Sequence, residues 1–147
     1  FARAMESVSP PPPVSETERA RTGLAMSPIR NKMSYTIRLR QQSVRELRLM
    51  FGWGGGRRLH GSMRVTIRDA AMREIAAFDM ELAALPGDCV CAFPLPPMEG
   101  SAGPVLNIEF DAAYDKSSGY VSVFEHPLRY PILRRIGRRG ALYAELD

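Results

Sequence analysis

Few residues in this 147-residue chain have the types and spacing that chemistry needs. Glu109 and Asp111 stand two apart, which puts two carboxylates on one face of a strand, where they could share a proton or hold a calcium ion. On a surface strand such a pair reads more simply as a solvated face. Cys89 and Cys91 have the same spacing, which aligns both thiols but sets them too far apart along an extended backbone to bridge comfortably. There is no second Cys pair, and His60 and His126 are isolated in sequence, so the thiols read as small core residues rather than metal ligands or a redox couple. Gly52, Gly54, Gly55 and Gly56 surround Trp53, but no Gly-Lys-Ser/Thr follows to cradle a phosphate, and the glycines read as a loop device. Neither a Gly-x-Ser-x-Gly elbow nor a His-Glu-x-x-His pair occurs. No catalytic residue, metal or cofactor is therefore expected.

Charge points to partners instead. The chain carries 20 basic and 16 acidic residues, a formal charge of +4, and all but Lys32 and Lys116 of its basic residues are Arg. They are densest where Arg129, Arg134, Arg135, Arg138 and Arg139 meet no acid, a patch suited to an anionic partner because guanidinium forks match phosphates and carboxylates. Acids are plentiful elsewhere and no RNA- or DNA-binding motif is present, so nucleic acid is not an expected partner.

The elements that must position these groups are strands. Tyr35, Ile37 and Leu39 alternate with Thr36, Arg38 and Arg40, and Leu47, Leu49, Phe51 and Trp53 repeat the period. Met63, Val65 and Ile67 alternate with Arg64, Thr66 and Arg68, and Asp69 opens a short connection into a strand beginning at Glu74. Residues 70–85 have the Ala, Met and Glu content of a helix, but a hairpin partner fits the spacing of the other segments better. Further strands are expected at residues 89–95, 105–111, 120–125 and 141–146. About eight short strands between turn signals predict an antiparallel β-sandwich or jelly roll. Its core should include Val65, Ile67, Leu106, Ile108, Val121, Val123 and Leu142, with Trp53 at a strand end.

Before that region, residues 1–32 are polar and Pro-rich, with four consecutive prolines at 10–13, and read as a linker or tail with at most a short helical turn at 20–26. The sandwich domain is expected over residues 33–147. No apolar run is long enough to span a bilayer, and the cysteine usage fits a reducing compartment without demanding one, so a place in the cytoplasm or at the cell envelope is compatible.

Several short motifs together resemble one family. These are Arg64-Val65-Thr66-Ile67-Arg68-Asp69, the partner at Arg73-Glu74-Ile75-Ala76, Phe93-Pro94-Leu95-Pro96-Pro97, the Ser101-Ala102-Gly103 turn, Leu106-Asn107-Ile108-Glu109-Phe110 and Tyr120-Val121-Ser122-Val123. In that order they are similar to the accessory jelly-roll domain that accompanies glycosyltransferases and related proteins of bacterial surface-polysaccharide gene clusters. The resemblance covers residues 35–147. Met72 departs from it, standing where the pattern usually has a Gly after the Arg-Asp hairpin. It implies a non-catalytic sandwich working with a polysaccharide-assembly enzyme, and a carbohydrate as the ligand class, but brings no ligand residues with it.

Strand parity supplies the candidates. If Val121, Val123 and Leu142 are core, Tyr120, Phe124 and Tyr143 point outward, where they are either covered by the N-terminal segment or a partner domain, the favoured expectation, or free to stack on sugar rings. Arg64, Arg68, Asn107 and Glu109 would then supply polar partners for hydroxyls. The alternative expectation is a docking or oligomerisation module for a parent or partner enzyme domain, using the same aromatics and the 129–139 patch.

Overall fold

A computed structural model describes residues 6–7, 24–39, 45–54, 59–85, 87–96, 105–117, 119–125, 142 and 144–146. Ten strands run through them: β1 (Glu6–Ser7), β2 (Ala25–Pro28), β3 (Lys32–Arg38), β4 (Glu46–Gly54), β5 (Gly61–Arg68), β6 (Glu74–Glu81), β7 (Cys89–Pro94), β8 (Val105–Tyr114), β9 (Tyr120–Glu125) and β10 (Ala144–Leu146). Among the described residues there is no α-helix; one 3-10 turn, Leu82–Ala84, carries β6 toward β7.

The eight strands β2 to β9 form two antiparallel four-stranded sheets. Sheet 1 has the order β6-β5-β8-β3, and β1 adds to the outer edge of β6 in parallel. Sheet 2 has the order β2-β9-β4-β7. Successive strands mostly alternate between the sheets, and these two orders are those of a jelly roll, the double Greek-key sandwich expected from the period-two pattern. Strand β10 pairs with β4 at Leu47, Arg48 and Leu49, beyond the point where β9 leaves β4, and a Glu125–Leu142 bridge joins the two.

The inner faces obey the alternation seen in sequence. Val65, Ile67, Leu106, Ile108, Val121, Val123 and Leu142 are all buried in one cluster, and Trp53 packs against it half-buried. Edge-on rings lock the sheets together: Phe51 on β4 meets Phe110 on β8 at 5.8 Å between centroids, and Phe78 on β6 meets Phe93 on β7 at 5.2 Å. Offset edge-to-face pairs of this kind add to the area the rings already bury. Polar contacts also join the sheets, the most buried of those described being a hydrogen bond between β3 and β9. The Tyr35 hydroxyl on β3 donates to Oε2 of Glu125 on β9, a fully buried carboxylate that burial would otherwise penalise heavily.

The β5–β6 hairpin turns on hydrogen bonds to Asp69. Asp69 Oδ1 accepts from the backbone N–H groups of Ala71 and Arg73, each at 2.9 Å, and the Met72 N–H donates to the Asp69 carbonyl at 2.9 Å. Met72 sits in the left-handed region at φ +64°, the conformation a glycine would adopt at little cost, and its side chain is exposed. A register shift between Ile67 and Arg68 accompanies the turn.

Two boundaries differ from the sequence reading. Within the stretch expected to be linker, Ala25 and Met26 belong to strand β2 rather than a helical turn, and Ile29 is fully buried in the core. Ala25 to Pro28 pair with β9, and the Ile29 N–H donates to the Val121 carbonyl at 2.8 Å. Glu6 and Ser7 likewise join sheet 1. The proline run at 10–13 lies outside the described residues.

Candidate functional site

The outer face of sheet 1 gathers the polar half of the expected site. Strand pairing sets Arg68 directly opposite Asn107, Thr66 opposite Glu109, and Arg64 opposite Asp111 on one side and Asp79 on the other. Arg64, Arg68, Asn107 and Glu109, whose sharing of a sheet parity alone could not establish, therefore lie together on β5 and β8. The flanking strands add Thr36 and Lys32 from β3 and Asp79 from β6.

Charges alternate across this face. One row runs Asp79, Arg64, Asp111, Lys32 across four strands, with Arg64 Nε 3.5 Å from Asp79 Oδ1. Four residues along β5, Arg68 Nη1 lies 3.5 Å from Glu109 Oε1. The Arg64–Asp79 pair is exposed and adds little to stability, whereas the Arg68–Glu109 pair is half-buried. Asn107 is held more firmly: its Oδ1 accepts from Thr36 Oγ1 at 2.8 Å and its Nδ2 donates to the Asp69 carbonyl at 3.0 Å. Each group of the amide keeps further hydrogen-bonding capacity. Between the row of Arg64 and the row of Arg68 and Asn107 lie Ala77, Thr66 and Glu109, in register across β6, β5 and β8, and of these Thr66 and Ala77 are small and buried.

The aromatic half lies elsewhere. Tyr120 and Phe124 are on β9 in sheet 2, so the sandwich separates them from the polar face. Parity is as expected, since Val121 and Val123 point inward. Exposure is not. Tyr120 is half-buried and Phe124 has no accessible surface, so the Phe124 ring has no open side to offer a sugar. Nearby Met50 and Ser122, also on the outer side of sheet 2, are buried too. Gly52 explains part of this crowding: a Cβ there would stand 2.4 Å from Asp88 Oδ1 and 3.0 Å from both Met26 Cε and Phe124 Cε1. Tyr143 and the patch of Arg129, Arg134, Arg135, Arg138 and Arg139 lie outside the described residues, as does His126.

Cys89 and Cys91 face the core from β7, both fully buried. The hydrogen bond with Cys89 and burial together push the Cys91 thiol far above its usual range, which keeps it protonated and a poor nucleophile or ligand. Glu109 and Asp111 do share one outer face, but Arg68 and Arg64 respectively stand opposite or beside them.

Sequence reasoning set Asp111 beside Glu109 but missed Lys32, Thr36 and Asp79 as members of this face. Their signal was present in the parity of β3 and β6, but pairing partners are set by topology, which alternation alone does not encode. No protein-family model matches the chain, and no curated protein matches it.

Proposed function

We propose that the protein is a non-catalytic recognition domain whose binding surface is the outer face of sheet 1, and that its ligand is a neutral, hydroxyl-rich saccharide of the kind handled in bacterial surface-polysaccharide assembly. The observation that carries this reading is the gathering of Arg64, Arg68, Glu109 and Asp111 on the outer face of β5 and β8 around the oriented Asn107 amide. Guanidinium, amide and carboxylate groups present donors and acceptors in planar forks, which suit vicinal hydroxyls. The face balances Lys32, Arg64 and Arg68 against Asp79, Glu109 and Asp111, which favours a neutral ligand over a polyanion. With hydrogen bonds rather than ring stacking as the main contact, affinity per repeat should be weak, with Kd on the order of 1 mM.

A docking module for a parent or partner enzyme is the second reading. It is favoured by one observation: among the described residues the polar face carries no aromatic ring on which a sugar could stack.

Calorimetric titration of neutral and anionic surface polysaccharides into wild type, Arg68→Ala and Asn107→Ala tests the choice. The saccharide reading expects heat from a neutral polymer that both variants lose. No heat from any polymer, together with a mass that rises with concentration in sedimentation, favours docking.

A further inference from the structure

Sheet 1 ends on β3, and among the described residues no strand pairs with the outer edge of β3. The other sheet edges are covered, short or closed by proline: β1 lies along β6, β2 spans four residues and ends at Pro28, and β7 ends at Pro94. By contrast β3 runs seven residues without a proline. Its register, with the Ala112 N–H donated to the Asn31 carbonyl at 3.1 Å, fixes which backbone groups the sheet uses. Asn31, Met33, Tyr35 and Ile37 bond to β8 in turn, so the N–H and C=O groups of Lys32, Ser34, Thr36 and Arg38 point away from the sheet. The side chains of the same four residues are exposed on the outer face, whereas Met33 and Tyr35 are buried and Ile37 is half-buried on the inner one.

Charge decides what such an edge can take. Lys32 and Arg38, at its two ends, form no ion pair with any described residue, although Asp111 stands opposite Lys32 on β8. A second copy is a poor occupant: in an antiparallel two-fold register centred on Tyr35, Lys32 would face Arg38 twice, and like charges directly opposite are destabilising. An acidic strand meets the reverse situation. Two carboxylates six positions apart would lie opposite both cations, and apolar side chains on its inner face would extend the rim begun by Ile37, which packs against the core. In strand addition of this kind the backbone bonds give affinity and the alternate side chains give specificity.

We propose that the outer edge of β3 is a docking edge for an extended acidic segment of a partner protein, which adds to sheet 1 in antiparallel register with a carboxylate opposite each of Lys32 and Arg38. All pairing among β3, β8, β5 and β6 is antiparallel, and antiparallel ladders are the slightly more stable kind. The proposal does not rest on the saccharide reading, since it uses the backbone edge of sheet 1 rather than its outer face.

Fluorescence anisotropy with the full chain and a labelled, end-capped peptide Glu-Val-Thr-Val-Thr-Val-Glu provides the test. In the proposed register its Glu and Thr side chains face outward and its Val side chains inward. The peptide should bind at low salt, and a counterpart with Lys at both ends should bind about tenfold more weakly. Lys32→Glu with Arg38→Glu, two exposed substitutions that leave the core untouched, should invert that preference. N-methylation of the two Thr amides, which would donate to the carbonyls of Ser34 and Thr36, should abolish binding. N-methylation of the central Val, whose amide would point away from β3, should not. Absence of binding at about 1 mM protein, equal binding of the two peptides, or a preference that survives the double substitution would overturn the proposal, as would methylated Thr amides that bind as well as the parent peptide.

Discussion

Along β8 every second residue from Leu106 to Ala112 is buried and its neighbours are half-buried or exposed, whereas along β9 the five residues from Val121 to Glu125 are all buried. Both strands are central in their sheets and both send aliphatic side chains into the same core. They differ in what lies outside. The outer side of sheet 1 is a solvated array of paired charges; that of sheet 2 buries Met50, Ser122 and Phe124. Alternation therefore tells which way a side chain points, and only the assembled fold tells whether that direction ends in water.

The contrast makes its largest prediction at Phe124. Truncation to Ala should cost about 3–5 kcal/mol in urea denaturation, as for a fully buried ring, although Phe124 points away from the main core. The counterpart on sheet 1, Arg64→Ala, should change stability by no more than about 0.5 kcal/mol, because its pair with Asp79 is exposed. A Phe124→Ala cost below about 1 kcal/mol would mean that the two outer faces are alike.

Gly52→Ala comes next. Its added methyl would run into Asp88, Met26 and Phe124, so overpacking should destabilise the fold by about 1–3 kcal/mol. A neutral result in thermal melts would show that the outer side of sheet 2 can yield. At the β5–β6 turn the sign reverses. Met72→Gly relieves a left-handed residue and should stabilise by about 1 kcal/mol, offset in part by the greater freedom of Gly in the unfolded chain.

The smallest effect concerns acid. The Arg73 backbone N–H holds the Asp69 carboxyl below its usual 3.8, opposed by some desolvation and helped by the Arg73 charge and the Ala71 N–H. A depressed folded value means that the contribution is complete above pH 3.8 and is lost as pH falls through the folded value. Wild type should therefore lose more stability than Asp69→Asn on acidification below about pH 4, and parallel curves would remove Asp69 from the account of the turn.

Much of this architecture was legible in the sequence. The period-two runs located β3 to β9, and the hairpin signal at Asp69 correctly outweighed the helix-like composition of residues 70–85, because packing of Ala76, Phe78 and Met80 against the core overrides local propensity. Strands β1 and β2 were not legible. Two residues carry no period, and β2 ends at Pro28 beside a polar, Pro-rich stretch, which sequence alone reads as linker although an edge strand tolerates it. The candidate site was half legible. Arg64, Arg68, Asn107 and Glu109 were placed outward by parity and found together, while Tyr120 and Phe124 were placed outward by the same rule and found across the sandwich, because the rule does not assign strands to sheets.

Backbone chemical-shift mapping during titration with a neutral surface oligosaccharide is the most direct test of where the binding face lies. Progressive shifts at Thr66, Arg68, Asn107 and Glu109, with Tyr120, Ser122 and Phe124 unchanged, are the expected result. Shifts centred on β9, or none anywhere at millimolar repeat units, would contradict the assignment of recognition to the outer face of sheet 1.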